Sequence, residues 1–388
     1  MDSNDRVSGT RSFLPAVEGL RAAAAMGVVL THVAFQTANS AGWYGRLFTR
    51  FDLAVAVFFA LSGFLLWRGH AAASRGMRRR PPTWHYLRSR IVRIMPGYLV
   101  AVIVILILLP DANADLTVWL ANLTLTQIYV PLTLTSGLTQ MWSLAVEMSF
   151  YLVLPLLALL ARRLPVRARI PVILVLAVAS LGWSALPWHL PFGVNQMNWL
   201  PGLFSWFAAG MLIAELTVMP VGWAHRMARH RVLMAAMVAV AFVVSASPLG
   251  GQIGLQPGTV SQVVVKTAMG AIVAYGLLAP LVLDAPGTPH RLLGSTTMVT
   301  LGRWSYGLFV WHLAALEMVF PLIGEFPFNG RMPTVLALTL ILGFGLAAVS
   351  YALVENPCRE ALRRWELRSD PTPLDSSVTD RTEPALAY

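Results

Sequence analysis

Ten stretches of this 388-residue chain are long and apolar enough, or nearly so, to cross a bilayer, and no other feature limits its fold as strongly. They run at about 14–35, 51–67, 94–110, 141–161, 170–188, 199–219, 232–247, 261–283, 299–320 and 334–354. Crossing the hydrocarbon core takes roughly 20 helical residues, and inside it only helices or closed barrels keep every backbone polar group paired. The sequence therefore predicts an all-α polytopic membrane protein with about ten transmembrane helices. The second, third and seventh stretches are the shortest, so their boundaries are the least fixed. Composition agrees: 56% of residues are hydrophobic, 12% are charged, and the mean hydropathy is +0.64, outside the soluble globular range.

The net charge of +11 would point to nucleic acid in a soluble domain. In a polytopic protein it is explained by topology, because cytoplasmic loops collect Lys and Arg. With the N-terminus inside, 24 of the 29 basic residues fall on the cytoplasmic side; only Arg46, Arg50 and Arg331 fall outside, and Arg21 and Lys266 lie within helices. Both termini are thus expected in the cytoplasm, and the protein in the inner (plasma) membrane as a multi-pass species with the lipid bilayer as its solvent. The expected organisation is a cytoplasmic N-terminal segment (1–13), a membrane domain (14–358) and a disordered cytoplasmic tail (359–388), whose Pro, Ser, Thr and Asp content resists folding. The lone cysteine, Cys358, excludes an intrachain disulfide and a cysteine-ligated metal site. The loop "DANADLTVWLANLTLTQIY" suits a short amphipathic interfacial helix.

Ionisable groups inside a span are costly and mark functional sites by default. The first span, "VEGLRAAAAMGVVLTHVAF", carries Glu18, Arg21 and His32. Residues on a helix turn by about 100° each, so Arg21 and His32 differ by only about 20° and share a face lined by small residues. A bland reading also fits: Glu18 and Arg21 pair at i,i+3, and His32 bonds a neighbouring helix. The fourth span, "MWSLAVEMSFYLVLP", aligns Ser143, Glu147 and Tyr151 at i, i+4 and i+8. Glu147 lies about 9 Å below its outer end and His32 about 5 Å below that of the first span, so the two can meet at one depth. A carboxylate beside an imidazole fixes its tautomer and supports general-base work on a hydroxyl. In the ninth span Ser305 and His312 share a face. The basic loop between the second and third spans, residues 68–93, ends in Arg90 and Arg93, whose i,i+3 fork suits phosphate groups. Arg303 can reach the same inner vestibule.

Six blocks in order carry a resemblance: "LPAVEGLRAAAAMGVVLTH", "FDLAVAVFFALSGFLL", "YLRSRIVRIMPGYL" with its RxxR, "MWSLAVEMSFYLVLP", "GRWSYGLFVWH" and "YALVENP". Together they resemble the acyltransferase-3 family of integral membrane O-acyltransferases, which includes O-acetyltransferases of bacterial surface glycans and macrolide acyltransferases. Phe309 stands where that family often has Tyr, and no proline closely follows His312.

The resemblance implies transfer of an acyl group, with acetyl expected, from cytoplasmic acyl-CoA to a hydroxyl of an envelope sugar, glycan or glycolipid. The alternative acceptor is a macrolide or another secondary metabolite. It implies His32 as catalytic base or transient acyl carrier, with Glu147 as its partner. Arg21, Arg90 and Arg93 would bind the CoA phosphates or hold the pocket's shape, and Asp52 would line the acceptor entrance. Ser62, Ser143, Tyr306 and His312 are lesser pocket candidates. No metal and no nucleic acid are implied. The resemblance also leaves room for a separate extracytoplasmic partner protein, because the hydrolase-like domain of some members is not seen after the membrane part. Arg21 lies about 16 Å below His32, too far to be the oxyanion donor, which stays unassigned. A transporter or flippase is the rival from another class, since a polar path with basic mouths would also carry an anion.

Overall fold

The computed structural model describes residues 14–78, 82–109, 114–251, 258–285 and 288–369. The N-terminal segment 1–13, the chain beyond 369 and part of the basic loop lie outside the described residues. The elements are α1 (Pro15–Gln36), α2 (Gly42–Thr49), α3 (Ala54–Ser74), α4 (Thr83–Leu108), α5 (Leu116–Leu123), α6 (Trp142–Ala161) and α7 (Arg169–Leu181). They continue with α8 (Leu200–Leu216), α9 (Trp223–Arg229), α10 (Arg231–Ala246), α11 (Val260–Val282), α12 (Thr296–Leu322), α13 (Met332–Ser350) and α14 (Asn356–Ser369). Among the described residues nine helical spans are long and apolar enough to cross a bilayer, and the pair α9 and α10, bent by 82°, brings the number to ten when counted as one broken span. The chain is an all-α, multi-pass membrane protein.

Local chemistry sets the ends. Proline in the first turn opens α1, α8 and α13, where its missing N–H costs nothing. Asp115 caps α5 by accepting from the Val118 N–H at 2.8 Å, and Ser295 caps α12. Thr259 and Gln262 cap α11 reciprocally, satisfying donors that a helix start leaves unpaired. The interfacial helix expected in the loop after α4 is α5.

Two boundaries differ from the sequence reading. The third span was expected to start near 94, yet α4 begins at Thr83, and α3 runs on to Ser74. Much of the 68–93 loop is thus helix. Arg and His lower hydropathy without breaking a helix, so the window hides the start of α4. The segment after 358 was expected to lack structure, yet α14 reaches Ser369. It follows α13 through a π-helical turn, Tyr351–Glu355.

α3 and α8 form the centre, around fully buried Phe59, Phe64, Trp67, Phe150 and Phe207. The Phe59 and Phe150 rings stack on Phe207 with centroids 4.4 and 4.2 Å away. The two helices touch backbone to backbone at Gly210, where a Cβ would collide with the Ala60 carbonyl; small residues at such crossings are how membrane helices gain contact. α1 and α12 approach in the same way at Gly302, against the Glu18 carbonyl. α7 and α10 are peripheral, and exposed Val175, Val178, Val232 and Val240 give them an apolar outer face suited to lipid.

Candidate active site

Six arginines converge at one end of the bundle. Arg21 comes from α1, Arg90 and Arg93 from α4, Arg303 from α12, and Arg359 and Arg363 from α14, and they line a vestibule of about 350 Å³. Only Glu18 and Glu366 answer them on its wall. Arg21 pairs with Glu18 at 3.0 Å, while Arg93 and Arg359 act on it with like charge. Such an excess of cations is stable only in water or against an anion. α14 is strapped across the mouth: the Arg88 guanidinium pairs with Glu366 at 2.8 Å and lies 4.2 Å from the Trp365 ring.

Deeper lies a second cavity of about 80 Å³, and Arg21, Arg90 and Arg93 line both. Its polar centre is Glu147 on α6, whose carboxylate accepts from the hydroxyls of Ser62 and Tyr151. Ser143 and Ser305 also line it, each donating to a carbonyl three residues back. Tyr306 lines it while donating to the Ile94 carbonyl at 2.7 Å. Proline 96 on α4 cannot donate to the Val92 carbonyl, and Val92 faces the vestibule. The remaining wall is apolar, with Phe58, Phe59 and Phe309 the largest members.

His32 does not line this chamber and does not pair with Glu147. Its ring lies against that of His312, centroids 5.1 Å apart at a tilt of 43°. The expected meeting of His32 and Glu147 fails for a topological reason. α1 packs on α3 and α12, whereas α6 packs on α3, α4 and α8, so α3 is the helix the two share and stands between them. His312 is fully buried, and its Nδ1–H donates to the Phe309 carbonyl at 2.7 Å. A carbonyl can only accept, so that bond leaves Nε2 as the bare, basic nitrogen. Nε2 is buried and has no partner among the described residues. The carboxylate whose charge reaches His32 is Asp52, held by Lys266 at 2.5 Å and, more loosely, by Arg50 at 3.9 Å.

The structure thus gathers Arg21, Arg90, Arg93, Ser62, Ser143, Glu147 and Tyr306 around two adjoining cavities, and it sets His32 against His312 beyond the chamber, with His32 within reach of the Asp52 charge. The sequence reading missed Glu355, Arg359 and Arg363. Glu355 is 1% exposed, pairs with Arg359 at 3.3 Å and abuts Gly97 and Tyr306. Their spacing, four residues apart each time, was the available signal, because it puts all three on one helix face.

Chemically, the arrangement offers an anion-binding mouth, a small chamber with a carboxylate and hydroxyls, and an imidazole pair of which His312 is buried and His32 half-buried. Comparison with known proteins agrees with group-transfer chemistry. The acyltransferase-3 family model, described as an acyltransferase domain, matches residues 14–354. Acyltransferase MdmB of Streptomyces mycarofaciens is 28% identical over 95% of this chain and 98% of its own length. O-acetyltransferase OatA of Staphylococcus aureus is 22% identical over 90% of this chain and 57% of its own length, so the chain spans little more than half of that relative. No solved structure matches the chain. The chain belongs to the acyltransferase-3 family and is a membrane acyltransferase.

Proposed function

We propose that the protein is an O-acyltransferase that takes an acyl group, acetyl first among candidates, from acyl-CoA and places it on a hydroxyl of an envelope sugar or glycan. The observation that carries this reading is that the six-arginine vestibule and the Glu147 chamber adjoin, with Arg21, Arg90 and Arg93 on the walls of both. A CoA thioester has the matching shape, polyanionic at one end and uncharged at the other. Guanidinium forks bind its phosphates, and the thioester reaches the chamber. The arginine-rich end faces the cytoplasm, where such donors are made, as the charge distribution favours.

At the far side, His32 removes the proton of the acceptor hydroxyl as its oxygen attacks the thioester carbonyl. The tetrahedral intermediate collapses, the C–S bond breaks, and the thiol leaves with a proton. His312 holds His32 in place and offers Nε2 as a second proton acceptor, and Asp52 supports the positive charge that forms on His32. Glu147 accepts the single hydroxyl hydrogens of Ser62 and Tyr151, which fixes both side chains and leaves their oxygens as acceptors facing the chamber.

A second acceptor class, a hydroxylated metabolite such as a macrolide, is kept because the more similar relative is named for acyl transfer in general. Mass spectrometry of envelope glycans and secreted metabolites from a knockout strain, complemented with wild type or with His32→Ala, tests both. An acylated product restored only by the wild type supports the reading. No acyl difference between knockout and wild type contradicts it.

A further inference from the structure

The chamber and the histidine pair are neighbours without being one cavity, and a run of aromatic contacts links them. Phe58 on α3 and Phe309 on α12 both line the chamber, and their ring centroids are 6.3 Å apart. The Phe309 ring also lies 6.1 Å from that of His312, which is itself against His32. The rings therefore form a file from the chamber wall to the imidazoles. Phe58 lies one helical turn from Ser62, which bonds Glu147, and Phe309 lies one turn from His312, so each ring is borne by a helix that also carries a polar group of one of the two stations. The main chain of Phe309 is pinned by the His312 hydrogen bond to its carbonyl. Its half-buried ring has no polar atom to anchor it and is held by packing alone.

We propose that Phe58 and Phe309 form an apolar gate between the donor chamber and the histidine pair, admitting small acyl groups and keeping acceptor-side water from the thioester. The proposal rests on the donor reading above. A chamber of about 80 Å³ has room for about half a dozen water-sized groups, enough for an acetyl group, whereas a chain of octanoyl length would press on both rings. Without them, water reaches the carbonyl carbon: its oxygen forms the new C–O bond, the C–S bond breaks, and free acid and thiol are released. Excluding that side reaction is a general function of closed sites.

The test is acceptor-free hydrolysis of acetyl-CoA by the full-length protein reconstituted in vesicles, together with the octanoyl-to-acetyl ratio in transfer. Phe309→Ala and Phe58→Ala are expected to raise hydrolysis about tenfold relative to transfer, as loss of water exclusion predicts. The same variants should raise the octanoyl-to-acetyl ratio about tenfold or more, since pocket size discriminates by that order per added group. Phe309→Leu, which keeps apolar bulk, should leak less than Ala but more than wild type, and it serves if the Ala variants do not fold. Folded variants with wild-type coupling and chain-length profile would overturn the gate. A wild type that transfers octanoyl as readily as acetyl would also overturn it. If wild type consumes no thioester even with acceptor present, the donor reading falls and the gate with it.

Discussion

Of the carboxylates that sit among arginines in this bundle, Glu215 and Glu147 are built to opposite purposes. Glu215 on α8 is fully buried and fully answered: Arg75 pairs with it at 2.7 Å, Arg169 at 3.3 Å, and the Trp67 indole donates to it at 2.8 Å. Arg169 in turn lies 5.2 Å from the Trp67 ring, so the ends of α3 and α8 and the start of α7 are locked together. Glu147 also has arginines near it, since its charge acts on both Arg21 and Arg90. Its own bonds, however, go to Ser62 and Tyr151, and the guanidinium groups face a cavity. A satisfied ion cluster specifies how helices dock. One with cations left over is prepared for an anion that arrives from outside.

That contrast can be broken by treating both sites alike. Glu147→Gln should leave the protein folded but cut turnover about 10- to 100-fold, because the Ser62 and Tyr151 hydroxyls each trade a charge-assisted bond for a neutral one; acyl-transfer rates and thermal melts in detergent read both effects. Glu215→Gln should do the reverse. Removing one member of a buried pair strands the other charges and costs about 3–5 kcal/mol, so folded yield and melting temperature fall while activity per folded molecule persists. A turnover loss in Glu215→Gln matching that of Glu147→Gln, with stability unchanged, would erase the distinction.

Smaller effects sharpen it. Arg359→Ala, on the helix missed in the sequence, should raise the apparent KM for acyl-CoA about tenfold with kcat nearly kept, since one charge-assisted contact is worth about that factor. A lower kcat at unchanged KM would place Arg359 outside donor binding. Lys266→Met should change transfer by only a few-fold, because a half-exposed ion pair is worth at most about 1 kcal/mol and Arg50 still faces Asp52. A complete loss would make the Asp52–Lys266 pair part of the machinery.

The spans were legible because apolar length is a one-dimensional property. Each of the ten stretches corresponds to a helix, and the shared faces of Arg21 with His32 and of Glu147 with Tyr151 follow from helical geometry alone. α14 and the early start of α4 were not legible, since both are rich in arginine and hydropathy cannot see a helix that has left the apolar layer. The His32–Glu147 pairing was misread for another reason: depth along a helix can be computed from rise per residue, but which helix stands between two others cannot. Phe58 and Phe309 were invisible as a pair, because a phenylalanine in an apolar run looks like packing until a cavity and an imidazole are both found beside it.

The central claim is that donor binding and proton removal occupy separate stations. Equilibrium binding of radiolabelled acetyl-CoA, measured beside transfer to acceptor, tests it most directly in wild type, His32→Ala and the double variant Arg90→Ala/Arg93→Ala. The account predicts that His32→Ala binds the donor like wild type yet transfers nothing, whereas the double arginine variant loses binding while remaining folded. A His32→Ala protein that is folded but no longer binds acetyl-CoA would contradict it.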